Sequence, residues 1–183
     1  CGIRKEVGFY PCLHSQHSAQ PRAALFAERE DCILTLDQGT ATISILDADP
    51  SLRVRARTAL PPGTGAHSLA LHRPSQLAFV SGALSQALLA LRIDVSAAAI
   101  LEPVNLIADR ASGPLAIHPR LEILYAATSR GVDVFDFHHA DEIRRVQFFD
   151  VQDGMLECQS LAFSPSREAL FLLIVLPFWS NAL

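Results

Sequence analysis

Short runs of alternating apolar and polar residues follow one another along the chain, and turn residues separate them. In one run, Ile43 and Ile45 alternate with Thr42 and Ser44, so a strand there would have one apolar and one polar face. Turn chemistry, such as the Ser-Gly pair at 81–82, returns too often for long helices. The β-branched and aromatic content of the runs also favours strands. The pattern therefore predicts an all-β fold.

The pattern repeats with a period of about 46 residues. The segments HSLALH (67–72), GPLAIH (113–118) and QSLAFS (159–164) superimpose, and a second apolar segment follows each of them. Their starts are 46 positions apart in both steps, from 67 to 113 and from 113 to 159. A fainter copy begins near Ala23. Repeats of this length are typical of solenoids, propellers and arrays.

Each repeat is predicted to hold four short strands. In the second copy these strands span roughly 67–71, 76–81, 87–93 and 99–107. Four strands in about 40–50 residues, repeated along a chain, are typical of the blades of a β-propeller. We therefore predict a β-propeller with four-stranded blades.

The predicted blades lie near 23–60, 67–107, 113–150 and 159–183, after an N-terminal lead (1–22) with room for the last strand of a preceding blade. This makes about three and a half blades, whereas closed propellers have about four to eight. An open ring would expose strand edges and apolar blade faces to water. We therefore expect an incomplete ring that is part of a longer protein.

Composition and charge exclude several classes of protein. Half of the 183 residues are hydrophobic and 19% are charged, which argues against a disordered chain. The net charge of −4 argues against general nucleic-acid binding and against adhesion to anionic membranes. The longest apolar run, 169–179, is shorter than the roughly 20 residues that a membrane-spanning helix needs, and Pro177 interrupts it. We interpret this run as a buried strand.

The compartment stays open at this stage. The chain starts at Cys1, as a mature lipoprotein would, although a truncated fragment is the simpler interpretation. The four cysteines form no CxxC motif, so no zinc ribbon or thioredoxin motif is indicated. Bacterial cytoplasm and periplasm both stay open as compartments, and so does a lipoprotein if Cys1 is a processed N-terminus. Cys32 and Cys158 adjoin apolar runs, where we expect free thiols.

The strand-turn-strand rhythm of the repeats resembles a known propeller family. The second repeat reads LALHRP (69–74) and then LAFV (77–80), and the third reads GPLAIHP (113–119) and then ILYAAT (123–128). This rhythm resembles that of the YVTN/lactonase-like propellers across roughly residues 23–175. The WD-repeat family is the alternative, but the chain has no Gly-His…Trp-Asp pair and a single Trp.

The resemblance implies several functions. Family members include bacterial phosphogluconolactonases, fungal carboxymuconate-lactonising enzymes, and surface or periplasmic repeat proteins without known catalysis. Because the repeats here carry packing residues, our first hypothesis is a binding or interaction scaffold. Its partner would be a protein or a small anionic ligand at the mouth of the central channel. The second hypothesis is a lactonase for a sugar or organic-acid lactone, and the third is a WD-type assembly platform.

In the enzymes of that family, the site lies at the channel mouth and draws on several blades. The candidates at the corresponding places in this chain are His67, Arg110 and Glu157, with Asp109 beside them. A His or Glu there would act as general base on a water that attacks a lactone carbonyl, and the Arg would stabilise the developing charge. Ordinary solvated loop residues are the alternative interpretation. No cofactor is implied.

The remaining candidate residues favour structural interpretations. His72 and His118 are equivalent by repeat and each closes a first strand, which indicates a structural hydrogen bond. The pairs at 14/17 and 138/139 lack a carboxylate or thiol at diagnostic spacing, so no metal site is predicted. The alternating arginines at 53, 55 and 57 indicate a solvated strand face, and the Gly-Thr-Gly at 63–65 indicates a plain turn.

Overall fold

The computed structural model describes residues 20–27, 31–94, 99–107, 112–139, 142–150, 157–163 and 170–175. Every regular element in this part of the chain is a β-strand. The strands are, in chain order, β1 (Pro21–Ala27), β2 (Cys32–Asp37), β3 (Thr42–Asp47), β4 (Val54–Ala59), β5 (Ala66–His72), β6 (Leu77–Gly82), β7 (Leu88–Asp94), β8 (Ala99–Ile107), β9 (Leu115–Ile117), β10 (Ile123–Ala127), β11 (Gly131–Asp136), β12 (Arg144–Asp150), β13 (Glu157–Phe163) and β14 (Leu170–Val175).

The strands form antiparallel sheets in simple chain order. Blade 1 is β1-β2-β3-β4, blade 2 is β5-β6-β7-β8, blade 3 is β9-β10-β11-β12, and β13-β14 form a two-stranded sheet that we name blade 4. Sequential strands joined by tight turns are the topology of propeller blades. The predicted all-β class and the four-stranded blades are confirmed.

The first strands of the blades lie next to one another. β1 contacts β5, β5 contacts β9, and β9 contacts β13, whereas β4, β8 and β12 lie at the outer ends of their sheets. Two hydrogen bonds tie the inner part of blade 2 to blade 3. The backbone N–H of Leu115 donates to Ser68 Oγ (3.2 Å), and Ser81 Oγ donates to the carbonyl of Gly113 (2.6 Å).

Blade 2 is buried on both of its faces. Along β6, Ala78 and Val80 face the core shared with blade 1, whereas Leu77 and Phe79 face the core shared with blade 3. All six residues of β6 are buried, so the expected polar alternation is lost there. A strand covered on both faces becomes apolar throughout.

Aromatic rings fill the core between blades 2 and 3. Phe79 and Phe137 pack with ring centroids 4.9 Å apart, and Phe135 is buried beside them. Full burial of one such side chain contributes about 1.5–3 kcal/mol. Blade 3 in turn packs on blade 4, where Tyr125 meets Phe163 with ring centroids 5.1 Å apart.

The strand boundaries lie close to those predicted from the sequence. In blade 2 the predicted and observed strands differ by one residue at most ends, and β1 begins at Pro21, two residues before the predicted start of the first blade. The apolar run at 169–179 forms a strand over Leu170–Val175, which confirms the strand, whereas its predicted burial stays a prediction. The part of the chain that the structure describes contains no helix of the length and apolarity that a membrane crossing requires. Most of the N-terminal lead (1–19) lies outside the described residues.

Candidate functional site

The ends of the strands define two faces of the propeller. The face that carries the links between blades and the turns from second to third strands is named the connection face. The opposite face carries the turns from first to second strands and is named the turn face. β5 begins at the connection face and ends with His72 at the turn face.

The structure describes the three predicted channel-mouth residues to different extents. His67 is half-buried at the start of β5, on the connection face. Glu157 begins β13, the corresponding strand of blade 4, but the structure describes only its backbone. Arg110 and Asp109 lie outside the described residues. The catalytic constellation of these residues therefore stays a prediction.

A fixed turn leads into β5 and so positions His67. Thr64 is buried, and both its N–H and its hydroxyl donate to the carbonyl of Pro61, at 3.2 and 2.6 Å. Gly65 has φ +59°, and a Cβ there would lie 2.5 Å from Leu84 Cγ. Only glycine tolerates both the conformation and the close approach. The prediction of a plain turn for this Gly-Thr-Gly segment is confirmed.

His118 has the structural role predicted for it. It is buried, and its Nδ1 accepts the backbone N–H groups of Arg120 (3.2 Å) and Leu121 (3.0 Å). Its ring packs edge-on against Phe163 at 5.2 Å. The imidazole therefore fixes the 118–121 turn of blade 3 and packs that turn onto blade 4.

His72 has the same kind of role one blade earlier. Its Nδ1 hydrogen-bonds Ser75 Oγ at 2.7 Å, and its ring packs edge-on against Phe137 of blade 3 at 4.9 Å. Burial disfavours the imidazolium and lowers the pKa of His72 below 6.5, although the nearby Glu122 carboxylate acts in the opposite direction. His72 thus presents a neutral imidazole at the junction of two blades.

Two arginines of the predicted stripe on β4 contact the neighbouring strand. The Arg55 guanidinium pairs with Asp47, and Arg57 Nε donates to the buried Ser44 Oγ at 3.2 Å. Both arginines are nevertheless exposed, as predicted for a solvated strand face, and β3 presents the polar groups that they contact. Arg53 is exposed, as expected.

Blade 3 contains an ion pair between a buried carboxylate and an exposed arginine, which the sequence analysis missed. Asp133 of β11 is fully buried, and Arg145 Nη1 of β12 lies 3.2 Å from its Oδ1. The two residues are 12 positions apart, and a bulge between Val134 and Phe135 changes the strand register between them. No spacing motif in the sequence indicates such a pair.

The histidine pair at 138/139 lies at the turn face. His138 Nδ1 pairs with the Glu122 carboxylate, and the backbone N–H of His138 donates to Asp136 Oδ1 at 2.9 Å. Within the ranges that the structure describes, no group of three or more His, Cys, Asp or Glu side chains has a metal-binding arrangement. The pair at 14/17 lies outside these ranges.

A groove of about 560 Å³ opens between blades 2 and 3 on the turn face. We name it the turn-face groove. Its apolar lining comes from Pro74 of blade 2 and from Pro119, Leu121 and Ile123 of blade 3. Its polar lining comes from His72, Arg120, Glu122, Asp136 and His138.

A smaller cavity of about 180 Å³ lies at the connection face. We name it the connection-face cavity. Gln86 lines it from blade 2 and Ser112 from the link between the blades, whereas Thr128, Ser129, Arg130 and Phe148 line it from blade 3. Sequence reasoning identified neither the groove nor the cavity, because each combines loops that are far apart in the chain.

Comparison with known proteins shows the fold. No protein-family model matches the sequence, and the search of curated proteins finds no match. Among solved structures, a protein from Lactobacillus plantarum matches 86% of this chain with a TM-score of 0.72 and 14% identity. The periplasmic gluconolactonase PpgL of Pseudomonas aeruginosa matches 88% with a TM-score of 0.71 and 14% identity. The β-propeller domain of Cps50 (Swd1) from Myceliophteria thermophila matches 86% with a TM-score of 0.66 and 12% identity.

These similarities establish a β-propeller. Lactonase-like propellers are among the neighbours, which agrees with the resemblance noted in the sequence at the level of the fold. The chain spans about half the length of the structures it matches, at 48%, 49% and 51% of them. Identities this low carry the fold and not the activity.

Acid should destabilise the protein in part through His72. Because burial lowers the folded-state pKa below 6.5, the stability that this neutral imidazole contributes is complete above pH 6.5 and is lost as the pH falls towards the folded-state pKa. We expect His72→Gln, which keeps a hydrogen-bonding side chain beside Ser75, to reduce this loss. Urea unfolding of the unmodified protein and of His72→Gln, between about pH 7.5 and pH 5.5, measures this loss of unfolding free energy. Parallel curves of unfolding free energy against pH would contradict the assignment.

Proposed function

We propose that the protein is a binding scaffold and that the turn-face groove holds a segment of a partner protein. The observation that carries the proposal is the composition of this groove, which combines exposed apolar side chains with charged groups at a rigid junction of two blades. Protein-binding surfaces typically combine an apolar centre with a polar rim.

The apolar part of the groove is presented by a fixed backbone. Leu121 is 55% exposed, although it is a large apolar side chain. His118 accepts the N–H groups of Arg120 and Leu121 and so holds this turn in place. A backbone that is already fixed loses little conformational freedom when a partner covers the turn, which favours binding. Pro74 and Pro119 provide further rigid apolar surface beside it.

The charged part of the groove suits a basic residue of the partner. Two carboxylates, those of Glu122 and Asp136, line the groove, whereas one guanidinium, that of Arg120, does so. Glu122 is already paired with the imidazole of His138. A lysine or arginine of the partner would pair with Glu122 in place of His138, and apolar neighbours would cover Leu121. The partner is therefore an extended segment with a basic residue beside apolar ones.

A lactonase is the second candidate. It is favoured by the structural likeness to the Pseudomonas gluconolactonase over 88% of this chain and by the place of His67 at the connection face. In this alternative His67 acts as general base, and Arg110 and Glu157 complete the site. A WD-type platform would be a special case of the scaffold.

Site-specific photo-crosslinking tests the scaffold. A photoreactive residue at position 121 in the full chain, in the cells that produce it, should yield one discrete adduct. The crosslinked peptide should carry a basic residue beside apolar ones. The same residue at position 84 is the matched control, because Leu84 is 74% exposed on the connection face. Glu122→Lys should abolish the adduct, whereas Glu142→Lys, at an exposed carboxylate outside the groove, should leave it.

Three outcomes would refute the scaffold at this groove: no adduct from position 121, the same adduct from position 84, or an adduct that Glu122→Lys leaves unchanged. Each would mean that the groove does not hold the partner.

Ring opening of glucono-δ-lactone distinguishes the second candidate. The scaffold predicts only the spontaneous rate of acid release in a pH-stat. A rate above the spontaneous one that His67→Gln abolishes would replace the scaffold with the lactonase. Arg53→Gln, at an exposed side chain of β4, serves as the control for nonspecific effects.

A further inference from the structure

We propose that the connection-face cavity binds a small hydroxylated carboxylate, of the size and chemistry of a uronic acid. This inference is independent of the scaffold function, because the cavity and the turn-face groove open on opposite faces of the propeller. It rests on the fixed turn that lines the cavity, on the single charged side chain of the lining, and on the uncharged groups that complete the lining; the Asp150 carboxylate lies outside the lining, 3.9 Å from the guanidinium.

The turn from β10 to β11 is held by its own side chain. Thr128 is buried, and its Oγ1 accepts the backbone N–H groups of Arg130 (3.1 Å) and Gly131 (3.0 Å). The Thr128 hydroxyl also donates to the carbonyl of Gly131 at 3.2 Å. A Cβ on Gly131 would approach the Phe149 carbonyl far more closely than real contacts allow, so the turn packs directly on β12. The backbone that carries Ser129 and Arg130 is therefore preorganised.

Arg130 is the charged side chain among the six that line the cavity. Its side chain is 63% exposed, and its contact with Asp150 is long, with Nη2 3.9 Å from Oδ2. That distance is beyond a hydrogen bond, so the guanidinium keeps its donors for another acceptor. A guanidinium binds a carboxylate through two parallel N–H···O bonds. The charge thus favours an anion, and a carboxylate is one acceptor that fits the guanidinium.

The other lining groups are neutral hydrogen-bonding groups and one aromatic ring. Ser112, Ser129 and Gln86 offer hydroxyl and amide groups, and Phe148 offers the face or edge of its ring. Gln86 stands in the left-handed region at φ +51°, a conformation that few non-glycine residues adopt. Hydroxyls of a ligand would satisfy the polar groups, and its C–H surface would cover Phe148.

The volume of the cavity matches a single small ring. About 180 Å³ corresponds to roughly six water molecules of liquid volume. A monosaccharide acid presents one carboxylate, several hydroxyls and one C–H face in about that space. A bare inorganic anion would use Arg130 and leave the hydroxyl and aromatic contacts unused.

Ligand-observed NMR titration tests the proposal with the full-length protein. D-galacturonate should bind saturably, and neutral D-galactose should bind at least about tenfold more weakly, because it lacks the charge for Arg130. Arg130→Gln should weaken galacturonate binding by about tenfold or more, and Ser129→Ala should weaken it by a smaller factor. Arg53→Gln, at an exposed arginine outside the cavity, should change nothing.

Several results would overturn this assignment. They are no saturable binding up to about 50 mM galacturonate, unchanged binding by Arg130→Gln, and galactose binding as tight as that of the acid. Inorganic phosphate binding as tightly as galacturonate would show a simple anion site and would refute the recognition of hydroxyl groups. Thermal unfolding of each variant shows whether a loss of binding reflects loss of the fold. If Arg130→Gln does not fold, Arg130→Lys replaces it, with weakened binding expected because a lysine cannot form the paired contact.

Discussion

The burial of blade 2 between two neighbouring sheets is the interaction on which the rest of the described structure depends. Alternate residues of β6 and β7 enter opposite cores, so that Val80 packs towards blade 1 and Phe79 towards blade 3. A single blade has two apolar faces and cannot cover either of them by itself. Each blade therefore takes its stability from its neighbours, as in other repeat proteins.

The two clefts follow from this packing. The apolar core between blades 2 and 3 ends near Phe137 on the turn face and near Ser81 on the connection face. Beyond those points, turns and links of different lengths separate the blades and leave the groove and the cavity. The packing residues hold the two blades together, and residues outside the core are available to bind.

The blade pattern was predictable from the sequence because the packing residues repeat. Leu69, Leu115 and Leu161 recur every 46 positions and all three are buried. Strand boundaries follow from that period and from turn residues. The loss of apolar-polar alternation in β6 was harder to predict from the sequence, because it depends on a neighbouring blade covering each face of the strand.

The sites were largely unpredictable from the sequence. Glu122 and His138 are 16 positions apart and meet only because β10 pairs with β11. Phe137 follows the end of β11, yet its ring packs on His72 of another blade. The repeat did indicate one site feature correctly, the structural role of His72 and His118, because equivalent positions in a repeat meet equivalent surroundings. Loop residues such as Arg130 do not recur in the repeat, so the repeat does not predict their role.

Native-state hydrogen exchange tests most directly whether blades 2 and 3 are one cooperative unit. Phe79→Ala removes one of the three buried phenylalanines of their core and should lower the unfolding free energy by about 3–5 kcal/mol. If the account is correct, the exchange free energies of slow amides in β6 and in β10 fall together and by the same amount. A decrease confined to β6, with β10 unchanged, would show that the blades unfold independently and would contradict it.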